Sequence, residues 1–348
     1  GRGGFAHGLD VAFNNLKGAK IIAVADRDTE GLVAVGKKIG MGNLYNDYRE
    51  MLQEEKPDIC VVSPGWVNER VAMVEAAASS GCHIYLEKPV AGSLSEIDTM
   101  INTCSEANIK VGVAHQWRAM APVQQTIRDI DAGKYGRLLR MWGRPKDDSR
   151  GGGEELLLHG THMFDLMIAL AGRPHWVMGQ ISCGNADATI NNGRRGSVGL
   201  MVGDSVSAMF GFGNGVRGFW DSTAGLANPE KGIRDLFGLS IECEKARLEL
   251  REPGDVYIYK APRILPDLDL QWERLTLPDW HELENFRRVR KQFLHVGNQI
   301  LARDLIDSIK HNREPLSSLN TSVYTVEMVQ GVYASHLTGG TRLKIPLK

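Results

Sequence analysis

The stretch "GRGGFAHGLD", residues 1–10, carries a Gly-x-Gly-x-x-Ala pattern with no strand ahead of it. Such a turn binds a pyrophosphate when a strand end aims it at the phosphates. Gly1 permits the tight turn, Gly3 lets the backbone approach the anion, and Ala6 lets the next helix pack closely on the strand. Gly4 and Phe5 fall within the same turn. The following "FAHGLDVAFNNLKG" has the apolar period of a helix stopped by Gly18, and its N-terminal N–H groups would complete the anion site. Next, "AKIIAVADRD" is a β-branched apolar run that terminates in Asp26. An acid about 20 residues beyond the glycines is placed to bind a ribose hydroxyl pair. A carboxylate there repels the extra phosphate of NADP, so NAD is the expected cofactor; the neighbouring Arg27 keeps NADP as the alternative. The pattern lacks only its first strand, which is expected to precede Gly1.

Working outward, the same alternation continues. "EGLVAVGKKIG" and "YNDYREMLQEE" read as helices, "ICVVSPG" as a buried strand with its turn, and "VNERVAMVEAAASSG" as a helix stopped by Gly81. "CHIYLEKP" is a strand, "SLSEIDTMINTCSEAN" opens with a capping box from Ser93 to Glu96, and "IKVGVAHQW" is a further strand. Strands apolar on both faces, alternating with helices, predict a parallel sheet covered on both sides. Beyond Trp117 the rhythm changes. "RLLRMWGR" is followed by a Gly-rich loop, a helix at "THMFDLMIALAG" and a series of strand-like runs that includes "WVMGQISCG", "SVSAMFGFG", "LSIECEKARLELRE" and "DVYIYK". These predict a large, mainly antiparallel sheet. Helical patterns return at "NQILARDLIDSIKHN" and "TSVYTVEMVQGVYASHL". The expected fold is therefore an α/β Rossmann domain over residues 1–118 and an α+β domain over 119–348.

Composition narrows the partners. The 348 residues are 43% hydrophobic and 24% charged, with a formal net charge of -1, which gives no basis for nucleic acid or an anionic membrane as partner. No apolar run approaches the ~18 residues of a membrane span. The 5 cysteines are widely spaced and odd in number, which fits reduced thiols and a cytoplasmic location. An export signal ahead of Gly1 stays open. No ligand set for a metal is evident.

Two clusters carry chemistry. "EKP" at Glu87–Pro89 lies at a strand end, where open α/β sheets bind ligands, and Lys88 there can hydrogen-bond a hydroxyl or take up a proton. The alternative is a surface lysine in a turn. In "GGGEELLLHGTHMFD", His159, His162 and Asp165 follow at three-residue spacing and would share one broad helix face. A histidine of near-neutral pKa suits proton transfer from an alcohol as a hydride leaves. A metal-binding His-x-x-His and a histidine satisfied by backbone alone are the alternatives.

These clusters, in this order, resemble the glucose–fructose oxidoreductase / inositol dehydrogenase (Gfo/Idh/MocA) family over essentially the whole chain, closing with "GGTRLKIPL". The resemblance implies a Rossmann domain followed by a substrate domain whose sheet commonly packs against its copy in a dimer or tetramer. It also implies a nicotinamide-dependent oxidoreductase acting on a carbohydrate, cyclitol or related polyol. On that resemblance Lys88 would hydrogen-bond the reacting hydroxyl and His162 would be the general acid/base. Ser63, Pro64, Asn68, Glu87, Lys88 and Gln116 would touch the cofactor, with Trp117, Arg118, His159 and Asp165 toward the substrate. One departure stands out: the family commonly carries an Asp four residues before the catalytic His, and Leu158 occupies that position here. His159, Glu154 and Glu155 are the candidates to replace it. Two other outcomes are kept beside the dehydrogenase reading: glycoside cleavage through an internal redox cycle, and a nicotinamide-binding sensor without turnover.

Overall fold

The computed structural model describes residues 9, 12–14, 16–228, 237–252, 254–261, 271–282 and 284–347. The chain forms two compact units: Gly1–Ala119 with Leu294–Val323, and Met120–Phe293 with Tyr324–Lys348. The first unit thus takes in a late stretch of the chain in addition to its N-terminal third.

The first unit contains strands β1 (Val24–Ala25), β2 (Leu44–Tyr45), β3 (Ile59–Val62), β4 (His83–Leu86) and β5 (Val111–Val113), joined by helices α1 (Thr29–Ile39), α2 (Tyr48–Glu55), α3 (Arg70–Ser79) and α4 (Leu94–Glu106). All pairings are parallel, in two pieces: β1 with β2, and β3 with β4 with β5. The helix ends follow local chemistry. Asp47 caps α2 by accepting from Arg49 N, and Ser93 with Glu96 forms the reciprocal capping box of α4. β5 gains cover on its outer edge from residues 317–318, with Val113 N donating to Ser317 O at 2.8 Å and a bridge between Gly112 and Ser318.

Two expectations change here. Within "FAHGLDVAFNNLKG" the described residues make three-residue turns (Ala12 N to Leu9 O, Leu16 N to Phe13 O, Ala19 N to Leu16 O) where an α-helix was expected. Asn14 and its neighbour are weak helix formers, and the apolar period is satisfied by packing instead. Leu9, Ala12 and Phe13 pack with Tyr85, Ala114, Leu301, Ala302 and Leu305 in one buried cluster. Likewise "AKIIAVADRD" pairs only at Val24 and Ala25, because β2 is the one described strand beside it.

In the second unit, α5 (Ala121–Asp131) precedes β6 (Leu138–Arg144), and α6 (Thr161–Ala171) precedes β7 (Trp176–Cys183), β8 (Ser205–Gly211), β9 (Arg217–Thr223), β10 (Gly238–Cys243), β11 (Arg247–Arg251) and β12 (Asp255–Tyr259). Of the long helices that follow, α7 (Glu284–Lys310) belongs from Leu294 onward to the first unit, and α8 (Leu319–Leu337) from Tyr324 onward to the second. The sheet runs β12-β11-β10-β6-β9-β8-β7, with 273–274 at one edge and 343–344 at the other. Every pairing is antiparallel except β9 with β6. The expected single run "LSIECEKARLELRE" is a hairpin turned at Cys243–Ala246 without a glycine. Alternate residues face a core that includes Phe164, Phe210 and Trp220, with Phe164 edge-on to both.

The return of residues 294–310 to the first unit is the least local contact of that unit, and Leu305 is 0% exposed within it. Leu305→Ala is expected to cost about 2–5 kcal/mol in urea unfolding. Leu337→Ala, at a position 62% exposed, should stay within about 0.5 kcal/mol of wild type. Equal effects of the two changes would contradict the packing described.

Candidate active site

In the first unit the candidate residues gather at the C-terminal ends of the parallel strands, the edge where open α/β sheets take ligands. β3 ends at Val62 and leads into Ser63 and Pro64; β4 ends at Leu86 and leads into Glu87, Lys88 and Pro89; β5 ends at Val113, shortly before Gln116, Trp117 and Arg118. Ala114 N donates to Leu86 O at 2.9 Å and Glu87 N to Val62 O at 3.0 Å, so the three strand ends are tied together. Lys88 is buried in a turn closed by a cis Lys88–Pro89 bond, with its N–H donating to Glu87 Oε1 at 3.0 Å.

Arg70, at the start of α3, holds this edge. Its guanidinium donates to the carbonyls of Glu87 (2.7 Å), Pro89 and Pro64 (3.3 Å). It is 1% exposed, and desolvation pulls its pKa down to about 10. The sequence reading passed over Arg70, although it sits on the stripe of buried positions Arg70, Val74, Ala77 and Ala78. A charge on an otherwise apolar helix face was the available signal.

The remaining first-unit candidates are placed as follows. Asp26 follows β1, and its Oδ1 accepts from Asp28 N at 2.9 Å. Arg27 is exposed and pairs with Glu69 at 2.5 Å, so its charge is engaged within the protein. Asn68 is exposed beside Glu69, while Trp117 and Arg118 are buried, and Arg118 donates to Leu316 O at 3.4 Å. Gly1, Gly3, Gly4, Phe5 and Ala6 lie outside the described residues.

Whether a nicotinamide dinucleotide suits these residues is tested by Gln116. Its side chain is 0% exposed, and neither amide atom has a hydrogen-bond partner among the described residues. A buried amide with donor and acceptor both orphaned costs about 1–3 kcal/mol per group unless a ligand satisfies it. A nicotinamide carboxamide offers the complementary pair, and the residues fit the group.

The second unit builds its cluster on three glycines. A Cβ at Gly151 would lie 2.1 Å from Ala224 N, at Gly152 2.4 Å from the Asp204 carbonyl carbon, and at Gly153 2.1 Å from Val202 O. These contacts are backbone to backbone, so the turn presses directly on the strand ends. A π-helical turn, Leu156–Gly160, then joins the glycines to α6. Its wider turn takes His159 off the strict spacing expected with His162 and Asp165, both buried on α6. Leu158 is buried. Glu154 accepts from Ser197 N at 3.1 Å and lies 3.3 Å from Arg194, which commits it to the neighbouring hairpin. Glu155 instead lies 2.8 Å from His159 Nδ1 and accepts from Lys146 N at 2.7 Å. Burial pushes the Glu155 carboxyl up to about 7, reinforced by Asp148 and opposed by the Lys146 N–H and by Arg150.

A twisted parallel βα unit with its ligand-facing groups at the strand ends defines a dinucleotide-binding fold of Rossmann type. Residues 1–115 match the family described as oxidoreductase family, NAD-binding Rossmann fold. The N-terminal third of the chain is thus similar to that family. Among curated relatives, D-apiose dehydrogenase of Rhizobium rhizogenes is 32% identical over 144 residues, 41% of each chain. Levoglucosan dehydrogenase of Pseudarthrobacter phenanthrenivorans is 27% identical over 229 residues, 58% of each. The matched stretch thus spans less than two thirds of these relatives. Among solved structures, a levoglucosan dehydrogenase in complex with NADH and levoglucosan superposes with a TM-score of 0.77 at 18% identity, covering 99% of this chain and 95% of that one. No helix among the described residues is long and apolar enough to cross a membrane.

The raised Glu155 pKa has a stability consequence. A carboxyl that titrates at 4.5 unfolded and at about 7 folded favours the folded state below pH 4.5, and that contribution is lost as pH rises toward 7. Glu155→Gln removes this dependence. Relative to wild type, the variant is expected to gain on the order of 3 kcal/mol between pH 4.5 and pH 8, read from urea unfolding at each pH. A constant difference across that range would contradict the assignment.

Proposed function

We propose that the protein is an NAD-dependent dehydrogenase or reductase of a carbohydrate, cyclitol or related polyol. The observation that carries this reading is the buried Lys88 in a turn clamped by Arg70, with the orphaned amide of Gln116 after the neighbouring strand. Relatives named for D-apiose and levoglucosan support the substrate class.

Residues 1–118 bind the cofactor, and 119–348 supply the substrate and oligomerisation domain. The Asp26 carboxylate holds the ribose hydroxyls. Gly1, Gly3, Gly4, Phe5 and Ala6 form the pyrophosphate turn, and Arg27 flanks the ribose. Ser63, Pro64, Asn68, Glu87 and Gln116 line the remainder. Pairing of Arg27 with Glu69 leaves less cation for an extra phosphate, which favours NAD over NADP. When bound, the nicotinamide supplies the hydride acceptor or donor. Lys88 donates to the reacting hydroxyl oxygen and stabilises its charge as the proton departs, and His162 exchanges that proton. Trp117, Arg118, His159 and Asp165 shape the substrate side. The free thiols fit the cytoplasm. Met178, Met209, Phe219 and Trp142 stand directly opposite one another across the second unit's sheet, partly exposed, and this row is the face that meets a second copy.

Mixed with NAD and D-apiose, levoglucosan or myo-inositol, the chain is expected to accumulate NADH, seen by absorbance. Lys88→Met and His162→Ala should each lower kcat by about 100-fold or more with NAD affinity retained. Wild-type turnover in either variant would remove that residue from the mechanism, and a flat trace with all three polyols would overturn the substrate class.

A further inference from the structure

The first unit's parallel strands fall into two pieces, β1 with β2 and β3 with β4 and β5, and no ladder joins the pieces among the described residues. In a doubly wound sheet a dinucleotide lies across the crevice between the two halves, with a strand-end acid on the 2′-hydroxyl of its adenosine. One side-chain pair links the two pieces at that edge. Arg27, directly after Asp26, donates from Nη2 to Glu69 Oε1 at 2.5 Å, a contact between residues 42 apart in the chain. It joins the end of β1 to the turn that follows β3. Both partners are carried on fixed backbone. Asp26 Oδ1 accepts from Asp28 N at 2.9 Å, which closes the turn around Arg27. Glu69 ends the 3-10 turn Val67–Glu69, and its N–H donates to Trp66 O at 3.3 Å. The next residue is Arg70, locked to the carbonyls of Pro64, Glu87 and Pro89. The hydrogen bond and charge of Glu69 raise the Arg27 pKa, and Asp26 adds a smaller share.

We propose that Glu69 is a cofactor-selectivity residue, which works by occupying the Arg27 guanidinium that would otherwise meet the 2′-phosphate of NADP. This rests on the nicotinamide-dependent function proposed above and names a residue that sets which form of the nucleotide is taken. A phosphomonoester carries about -1.5 to -2 charges at pH 7. To meet it, Arg27 must leave Glu69, and the phosphate then faces two carboxylates, Asp26 and Glu69, beside one guanidinium. In NAD the same position holds a neutral hydroxyl, which needs the Asp26 acceptor and no cation. The pairing therefore weighs against NADP and leaves NAD untouched. Asp26 discriminates by direct repulsion, Glu69 by withholding the cation. Arg27 is 79% exposed, so the effect is modest: an exposed pair is worth at most about fivefold in an equilibrium constant, and salt screens it.

Displacement of NADH fluorescence from the full chain by NAD and by NADP measures both affinities without turnover. In Glu69→Gln the Kd for NADP should fall about fivefold at low ionic strength, with the Kd for NAD within about twofold of wild type. That gain should shrink below about twofold as salt is raised to about 0.5 M. In an Arg27→Gln background, Glu69→Gln should change the Kd for NADP by less than about twofold, because no guanidinium remains to be released. An unchanged Kd for NADP, an equal gain for both nucleotides, or the same gain with Arg27 absent overturns the role of Glu69 and leaves the dehydrogenase reading standing. Loss of both nucleotides in Glu69→Gln makes the residue structural and overturns the proposal as well. If NADH does not bind the wild-type chain, the nicotinamide-dependent function fails, and the selectivity role fails with it.

Discussion

The buried guanidinium of Arg70 is the constraint on which the first unit's ligand edge depends. Three carbonyls, those of Pro64, Glu87 and Pro89, accept from it, and a buried carbonyl left without a donor costs about 1–3 kcal/mol. By satisfying them together, Arg70 fixes two strand-end turns relative to each other. The backbone around the buried Lys88 is consequently fixed on both sides. The cation itself is desolvated, which lowers its pKa, and nearby Glu87 compensates part of that cost.

The second unit solves a similar problem with no cation. Gly151, Gly152 and Gly153 bring one backbone directly against two others, at 223–224 and 202–204, and the π turn that follows relieves the strict helical spacing. That combination decides which side chains meet. Glu154 is directed to the hairpin and Glu155 to His159, although the two are adjacent in sequence. A regular α-helix over the same residues would have placed the acids and histidines by their spacing alone.

Local chemistry made much of this legible in advance. The capping box at Ser93 and Glu96, the α2 stop before Pro57, the strand ending in "EKP" and the mainly antiparallel second sheet all follow from short-range patterns. What escaped depends on contacts between distant residues. The packing of 294–310 on Tyr85 and Ala114 leaves no local trace, since those residues read as an ordinary amphipathic helix. The hairpin at Cys243–Ala246 turns without glycine or proline, so its two strands look like one. Arg70 shows in the sequence only as a charge on an apolar helix face, which does not say that it binds backbone carbonyls. The π turn is equally silent, and with it the pairing of Glu155 and His159.

The central claim is that the strand-end cluster around Lys88 and Gln116 receives a nicotinamide. Gln116→Met tests it most directly, because the orphaned amide makes opposite demands on stability and on binding. With the amide removed, unfolding stability should rise by about 1–3 kcal/mol while the Kd for NAD, from calorimetric titration, rises about tenfold or more. A variant that loses stability and binds NAD as well as wild type would contradict the account.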